Sequence, residues 1–202
     1  MRDTVYFLVF DGFADWQAAL ALCEIRRPGD WQVRTAGFSA TAVTSMGGLC
    51  VQPDVVLDQL DPASAALLIV PGGHLWQRGE GASAVALIGQ LHAGGAPVAG
   101  IDSGVLALAR AGLLDQRRHT GNWSGQLVSQ VPGYTGADQY DAEVLAVSDA
   151  GVITASHLGS VEFAREVIRT LDLYGPADRE DWYRLFKHAQ LPPWCVGEAA
   201  AA

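Results

Sequence analysis

The sequence has few cysteines, and the ones it has form no recognisable ligand set. Its 202 residues contain only Cys23, Cys50 and Cys195, with neither a CxxC pair nor a histidine at zinc-ligand spacing. This spacing indicates neither a disulfide framework nor a structural zinc site. A phosphate-binding loop and a dinucleotide fingerprint are also missing. We therefore expect no metal and no cofactor.

Basic residues and long apolar runs are scarce as well. Thirteen lysines and arginines stand against 22 acidic residues, a formal charge of −9, and they are scattered along the chain. They form no stripe of positive charge that could neutralise phosphate groups, which argues against a nucleic acid partner. No apolar run approaches the roughly 20 residues that a membrane-spanning helix needs, and the N-terminus turns acidic too early for a signal peptide. The composition predicts a cytoplasmic protein without nucleic acid or membrane partners.

What the sequence does have is a regular alternation of strand and helix patterns. Strands are predicted at 4–10, 31–36, 66–70, 98–101, 143–147 and 152–154, and helices at 16–25, 83–92, 103–111, 160–173 and 181–188, with a hairpin-like excursion at 42–51. This alternation predicts an α/β fold, a doubly wound, mostly parallel sheet with helices on both faces. The length favours a single domain over 1–190, followed by a C-terminal tail at 191–202.

Three short segments each follow a predicted strand and are candidates for a ligand site. They are Asp15-Trp16-Gln17, Pro71-Gly72-Gly73-His74 and Gly100-Ile101-Asp102-Ser103-Gly104. In open parallel sheets, ligands bind beyond the carboxyl ends of the strands. The last segment has the form G-x-nucleophile-x-G, a sharp turn that holds a reactive side chain above the sheet. These segments predict a small-molecule site centred on Asp102.

Several longer segments carry a family resemblance. FDGFADWQ, VTSMGGLCVQPD, LLIVPGG, ALARAGLLD and VEFAREVI resemble segments of the ThiJ/PfpI superfamily, which includes the Parkinson-associated deglycase, intracellular peptidases and isocyanide hydratases. The resemblance runs from about residue 6 to residue 186. It implies a flavodoxin-like fold of the class I glutamine amidotransferase type and a homodimer with its pocket close to the interface.

The chain departs from this superfamily at the pocket. Relatives typically carry a cysteine at the sharp turn of the G-x-nucleophile-x-G segment, which is called the nucleophile elbow. They also carry a glutamate on the first helix that hydrogen-bonds to this cysteine, and often a nearby histidine. This chain has Asp102, Gln17 and Asn122 at these three positions. A carboxylate is a poorer nucleophile than a thiolate, which disfavours cysteine-type peptidase, amidase or deglycase activity. A glutamate beside Asp102 would force one carboxylate to hold a proton, whereas Gln17 can donate to it. We therefore predict that the change from cysteine to Asp102 and the change from glutamate to Gln17 are coupled. We also predict a hydrogen bond between Gln17 and Asp102.

Three interpretations of Asp102 remain open from the sequence. It could cap the following helix, which is worth about 1 kcal/mol. It could be a catalytic base or nucleophile for the hydration or hydrolysis of a small electrophile. It could also mimic an oxidised cysteine, since a sulfinate presents two acceptor oxygens on a short side chain. A substitution introduced at this position would give the same sequence, although the accompanying Gln17 argues against it.

The resemblance also implies an oxyanion pocket. Relatives form it from a backbone N–H of the loop that is Gly72-Gly73 here and from the N–H of the residue after the elbow, here Ser103. The alternative is a tight turn that only the topology requires. His74 follows the loop and is a candidate proton donor across the pocket, although it could equally be a lone surface histidine.

Further candidates flank these segments. The resemblance implies that the loop carrying His157 approaches the pocket. Similar subgroups have a His-Thr-Ser-Asn run where this chain has His119-Thr120-Gly121-Asn122, so His119 is a candidate substrate contact in its own right. Trp16, Trp76 and Trp123 could line an apolar cleft, or they could serve only packing. Two functions follow: an enzyme that hydrates or hydrolyses a small molecule, or a non-catalytic small-molecule-binding or stress-related protein that has lost the cysteine chemistry.

Overall fold

A seven-stranded sheet forms the centre of the protein. The structure, a computed structural model, describes residues 2–192, so Cys195 and most of the predicted tail lie outside the described residues. The described strands are β1 Thr4–Val9, β2 Gln32–Gly37, β3 Val43–Thr44, β4 Cys50–Val51, β5 Val55–Val56, β6 Ala65–Val70, β7 Val98–Ile101, β8 Ala146–Asp149 and β9 Val152–Ala155. The sheet order is β5-β2-β1-β6-β7-β9-β8, and β3 pairs with β4 in a separate hairpin.

The sheet is mostly parallel and carries helices on both sides. Only β8 runs antiparallel to its neighbour, β9. The helices are α1 Asp15–Arg26, α2 His74–Gln77, α3 Ala82–Ala93, α4 Gly104–Arg110, α5 Ser124–Gln130, α6 Ser160–Thr170 and α7 Pro176–His188. Helix α1 packs against α6, and α3 packs against α4. The predicted doubly wound α/β fold is confirmed. Within the described residues, no helix is long and apolar enough to cross a membrane.

The central strands are buried along their whole length. Every residue of β1 and of β6 is buried, as expected for strands covered by helices on both faces. Burying a large apolar side chain contributes about 1.5–3 kcal/mol. The strands β1, β6, β7 and β9 are adjacent, and the parallel register brings their carboxyl ends to one edge of the sheet. That edge is a well-supported platform for a site.

Several predicted boundaries were wrong for identifiable reasons. The helix predicted at 160–173 ends at Thr170, because Asp172 and Tyr174 adopt left-handed φ angles of 54° and 60°. The last helix begins at Pro176 instead of residue 181, since a proline suits the first helical turn. The strand predicted at 143–147 lies at 146–149, where a tight turn returns the chain antiparallel into β9. The segments β5, α2 and α5 were not predicted.

In helix α1 the apolar residues Trp16, Ala19, Leu20 and Cys23 stand at helical spacing, which predicts that they form the buried face, but the helix buries a different face. Trp16, Ala19 and Cys23 are exposed, whereas the buried residues are Gln17, Ala18, Ala21, Glu24 and Ile25. Two of these buried side chains are polar, and both have hydrogen-bond partners inside the fold. Helix α1 therefore delivers Gln17 to the interior at the edge where the strands end.

Candidate functional site

Asp102 occupies a sharp turn between a buried strand and a buried helix. Strand β7 ends at Ile101 and α4 begins at Gly104. Asp102 adopts φ 58°, a left-handed conformation that aspartate tolerates better than most residues. A Cβ on Gly104 would collide with the carbonyl oxygens of Val70 and Pro71, so this close approach needs a glycine. The turn directs the Asp102 side chain away from α4.

The Asp102 carboxylate is held by two side-chain amides. Gln17 Nε2 donates to Oδ2 at 2.9 Å, and Asn122 Nδ2 donates to Oδ1 at 2.6 Å. The predicted bond between Gln17 and Asp102 is therefore present. Helix α4 has no side-chain cap hydrogen bond, so the interpretation of Asp102 as its cap is wrong. Asp102 is half-buried and remains partly accessible.

The orientation of both amides is fixed by a second layer of donors. Gln17 Oε1 accepts the Gly72 N–H at 2.7 Å, and Asn122 Oδ1 accepts the His157 N–H at 2.9 Å. Turning either amide around would set its NH₂ group against an N–H donor and its carbonyl oxygen against the carboxylate. Two N–H donors thus point permanently at Asp102. The carboxylate sits in a preorganised polar setting.

The glycine loop after β6 packs directly on this carboxylate. A Cβ on Gly72 would overlap Asp102 Oδ2, and it would lie only 2.9 Å from the Asp102 Cβ and Cγ. The Gly73 N–H donates to Ser103 Oγ at 2.9 Å, while Ser103 Oγ donates back to the Gly73 carbonyl at 3.1 Å. The glycine-loop half of the expected oxyanion pocket is therefore wrong, because side chains already accept the N–H groups of Gly72 and Gly73, whereas the expected role of the Ser103 N–H stays a prediction.

Two of the predicted histidines have no hydrogen bond to Asp102 among the described residues. His74 is exposed on α2, and its Nδ1 lies 2.9 Å from Gln77 Oε1. His119 is fully buried, with Nδ1 at 2.7 Å from the Arg117 carbonyl and Nε2 at 2.7 Å from the Tyr134 hydroxyl. Burial lowers the pKa of His119. Since both ring nitrogens have protein partners, the predicted contact between His119 and a substrate is not supported.

The tryptophans divide between surface and core. Trp76 is fully buried and donates to the Pro71 carbonyl at 2.8 Å, which braces the glycine loop, so it lines no cleft. Trp16 and Trp123 are 50% and 58% exposed. Trp123 borders a cleft of about 250 Å³ together with Asn122 and His157. Trp123 follows Asn122 and lines this cleft, whereas Trp16 precedes Gln17 on α1 and does not line it.

Sequence reasoning missed Tyr140, which also borders this cleft. Its hydroxyl donates to the Gly121 carbonyl at 3.0 Å, directly before Asn122. Burial is the main cause that raises the pKa of Tyr140, so it stays a neutral donor. No motif marks it, because its role depends on the chain returning alongside His119 in a parallel bridge.

A larger cavity lies elsewhere and contains none of these residues. It measures about 680 Å³ and is lined by α1 and the C-terminal helix, through Glu24, Arg27, Tyr174, Asp178, Trp182, Leu185 and Phe186. Volume alone would favour this cavity as the ligand site. The oriented polar groups, however, converge on Asp102, and such convergence is the better mark of a chemical site. Residues 2–192 hold no cluster of three or more potential metal ligands.

Comparison with known proteins agrees with this architecture. The chain is 32% identical over 190 residues to an uncharacterized protease, YoaZ, of Bacillus subtilis, covering 91% of this chain and 90% of that protein. It is 31% identical over 171 residues to a deglycase of Thermococcus kodakarensis, covering 83% and 98%.

Solved structures show the same relationship. A thiJ/pfpI family protein of Bacillus anthracis superposes with a TM-score of 0.88 at 33% identity, covering 94% of this chain and 93% of that one. A DJ-1 superfamily protein of Agrobacterium tumefaciens gives 0.85, also at 33% identity, covering 93% and 100%. Residues 3–170 match the DJ-1/PfpI family. The chain therefore belongs to the DJ-1/PfpI family.

Proposed function

We propose that this protein is a small-molecule hydratase or hydrolase in which Asp102 is the general base. The observation that carries the proposal is the Asp102 carboxylate, which two oriented amides hold at 2.9 and 2.6 Å while the side chain stays partly accessible. A catalytic base needs such fixed geometry within reach of substrate.

The hydrogen-bond capacity of the carboxylate is consistent with this role. Each carboxylate oxygen can accept two hydrogen bonds, and the amides of Gln17 and Asn122 occupy one on each oxygen. A water molecule can donate to a remaining position. As its oxygen bonds to an electrophilic carbon, its proton passes to Asp102, and the carbon's displaced electron pair moves to the attached heteroatom. The heteroatom takes up one proton and Asp102 releases one to solvent, so the step adds one water molecule overall and restores the carboxylate.

Thiol chemistry cannot be supplied by this elbow. Relatives of the chain are named protease and deglycase, and the sequence resemblance implies a cysteine at their elbow. Asp102 lacks the polarisable sulfur on which that chemistry depends. The proposal therefore keeps the family's pocket and replaces a covalent step with activation of water.

The substrate that suits the site is small, neutral and partly apolar. A cleft of about 250 Å³ is lined by Asn122, His157, Trp123 and Leu158, and Asp102 does not line it but is joined to it through its hydrogen bond from Asn122. The formal charge of −9 disfavours the approach of anions. We assign Asn122, His157 and Trp123 to substrate contact, and the exposed Trp16, next to Gln17, stays a candidate for the same role.

Turnover of a substrate panel tests the proposal. Isocyanides, amides, esters and 2-oxoaldehydes would be offered to the wild type and to Asp102→Asn, which keeps the shape and tolerates the left-handed backbone. Loss of a general base typically lowers the rate by about 10²–10⁴-fold. The matched control is Asp138→Asn, because Asp138 is exposed. Equal rates in the wild type and Asp102→Asn would refute the role of Asp102.

One observation favours a second function, a non-catalytic ligand-binding or stress-related protein. Side chains already occupy the N–H groups of Gly72 and Gly73, which leaves less preformed stabilisation for an oxyanion. This alternative predicts a ligand-induced rise in melting temperature that Asp102→Asn does not change, without turnover of any panel compound.

A homodimer is also part of the proposal. Trp16, Met46 and Leu49 are each at least half exposed, and the loop carrying the latter two bonds to Phe13 and Asp15 beside the start of α1. Exposed apolar groups at one place are typical of an interface. Light scattering would detect the dimer, and Leu49→Asp should shift it towards monomer. The cytoplasmic location stays a prediction.

A further inference from the structure

His157 is hydrogen-bonded to the network that the Asp102 carboxylate forms with the Gln17 and Asn122 amides. It follows β9 on the loop next to the elbow, and both its backbone N–H and its ring Nδ1 lie 2.9 Å from Asn122 Oδ1. Asn122 in turn donates to Asp102 at 2.6 Å. The His157 side chain is exposed and borders the cleft beside Asn122. A hydrogen-bonded chain therefore links the imidazole to the carboxylate through one amide.

This contact determines the protonation pattern of the ring. The Asn122 amide cannot be reversed without opposing its partners, so the atom facing His157 is a carbonyl oxygen, which only accepts. Nδ1 must therefore carry a hydrogen. In the neutral ring Nε2 is then unprotonated, and in the charged ring Nε2 gains a proton while the Nδ1 bond stays intact. His157 can therefore gain and lose a proton at Nε2 while its hydrogen bond to Asn122 stays in place.

The other histidines near the elbow segments lack this property. The partner of His74 is the Gln77 side chain, which is exposed and can present either its oxygen or its NH₂ group. His74 also has no hydrogen bond to Asp102 or its two amides within residues 2–192. His119 is fully buried, with both ring nitrogens occupied. Position and tautomer therefore favour His157.

We propose that His157 is the general acid of the site, donating a proton from Nε2 to the heteroatom of the substrate. This inference rests on the proposed function. As the carbon–heteroatom bond breaks in a hydrolysis, its electron pair stays on the heteroatom, which takes the His157 proton, while Asp102 takes the proton of the attacking water. Asp102 then loses one proton to solvent and His157 regains one, so the site returns to its starting state.

Two measurements test this role. Ring nitrogen NMR should show His157 as the Nδ1–H tautomer when neutral, with the signal assigned by its absence in His157→Gln. In the second, esters with good and poor leaving groups are compared in the wild type, in His157→Gln and in the matched control His74→Gln. The glutamine can keep a donor to Asn122, and the backbone N–H of residue 157 also remains, so Asn122 stays oriented.

The role predicts a loss in kcat of about 10²-fold or more in His157→Gln for poor leaving groups, and a much smaller loss for good ones. A structural role would lower both equally, and that result would overturn the inference, as would an Nε2–H tautomer. Wild-type kcat in His157→Gln combined with an inactive Asp102→Asn would refute only the role of His157. A wild type without turnover would overturn the proposed function, and this role with it.

Discussion

The close contact between Gly72 and Asp102 gives a prediction that links packing to the site. In Gly72→Ala the new Cβ would overlap Asp102 Oδ2 and lie 2.9 Å from Cγ. Either the carboxylate rotates and loses its bond from Gln17, or the loop shifts and the Gly72 N–H loses its bond to Gln17. We expect both a less stable protein and a misplaced carboxylate.

The magnitude follows from the two effects. Losing a hydrogen bond to a charged group costs about 1.5–3 kcal/mol, and forcing a methyl group into a filled space costs about 1–3 kcal/mol. For a chain of this length each kcal/mol lowers the melting temperature by about 2–4 °C. Gly72→Ala should therefore melt about 5–24 °C below the wild type and lose its turnover.

Calorimetry and the substrate panel measure both parts of this prediction. The control is Gly89→Ala, because Gly89 lies inside α3 and a Cβ there meets no atom within 4 Å. Alanine in the middle of a helix is favoured over glycine by about 0.5–1 kcal/mol, so this variant should be slightly stabilised. A Gly72→Ala protein that melts and turns over like the wild type would refute the contact geometry.

Three further predictions concern Gln17, His119 and Gly104. Gln17→Glu should destabilise the protein at neutral pH, because a carboxylate replaces the donor that faces Asp102 at 2.9 Å, and the deficit should shrink on acidification, which melting curves at several pH values would show. Burial lowers the pKa of His119 below its usual value of 6.5, so the neutral ring contributes its full stability above pH 6.5 and that contribution is lost as the pH falls further. In denaturant titrations at several pH values, His119→Gln should therefore lose less stability on acidification than the wild type. Gly104→Ala should leave little folded protein by circular dichroism, since its Cβ would collide with the Val70 carbonyl.

The sequence contained most of the fold, because its signals there are local. Unbroken apolar runs predicted β1 and β6, and glycines on either side of Asp102 predicted the turn between β7 and α4. The Gln17–Asp102 contact was also predictable, since the family resemblance places the two positions together and the chemistry of a carboxylate demands a donor.

The remaining features depend on long-range geometry that no local pattern contains. The apolar spacing of α1 suggested a face with Trp16 and Cys23, yet the polar Gln17 and Glu24 point inwards because their partners lie on distant segments. His74 adjoins the glycine loop in sequence but turns to Gln77. Similarly, the Ser103 hydroxyl accepts the Gly73 N–H only because two loops that are distant in sequence meet.

The central claim is that the Asp102 carboxylate activates water. The most direct test is kcat for the wild type and Asp102→Asn, measured side by side on any panel compound that the wild type converts, with folding of both checked by thermal melting. The account predicts a folded Asp102→Asn protein whose kcat falls by about 10²–10⁴-fold. A folded variant with undiminished kcat would contradict it.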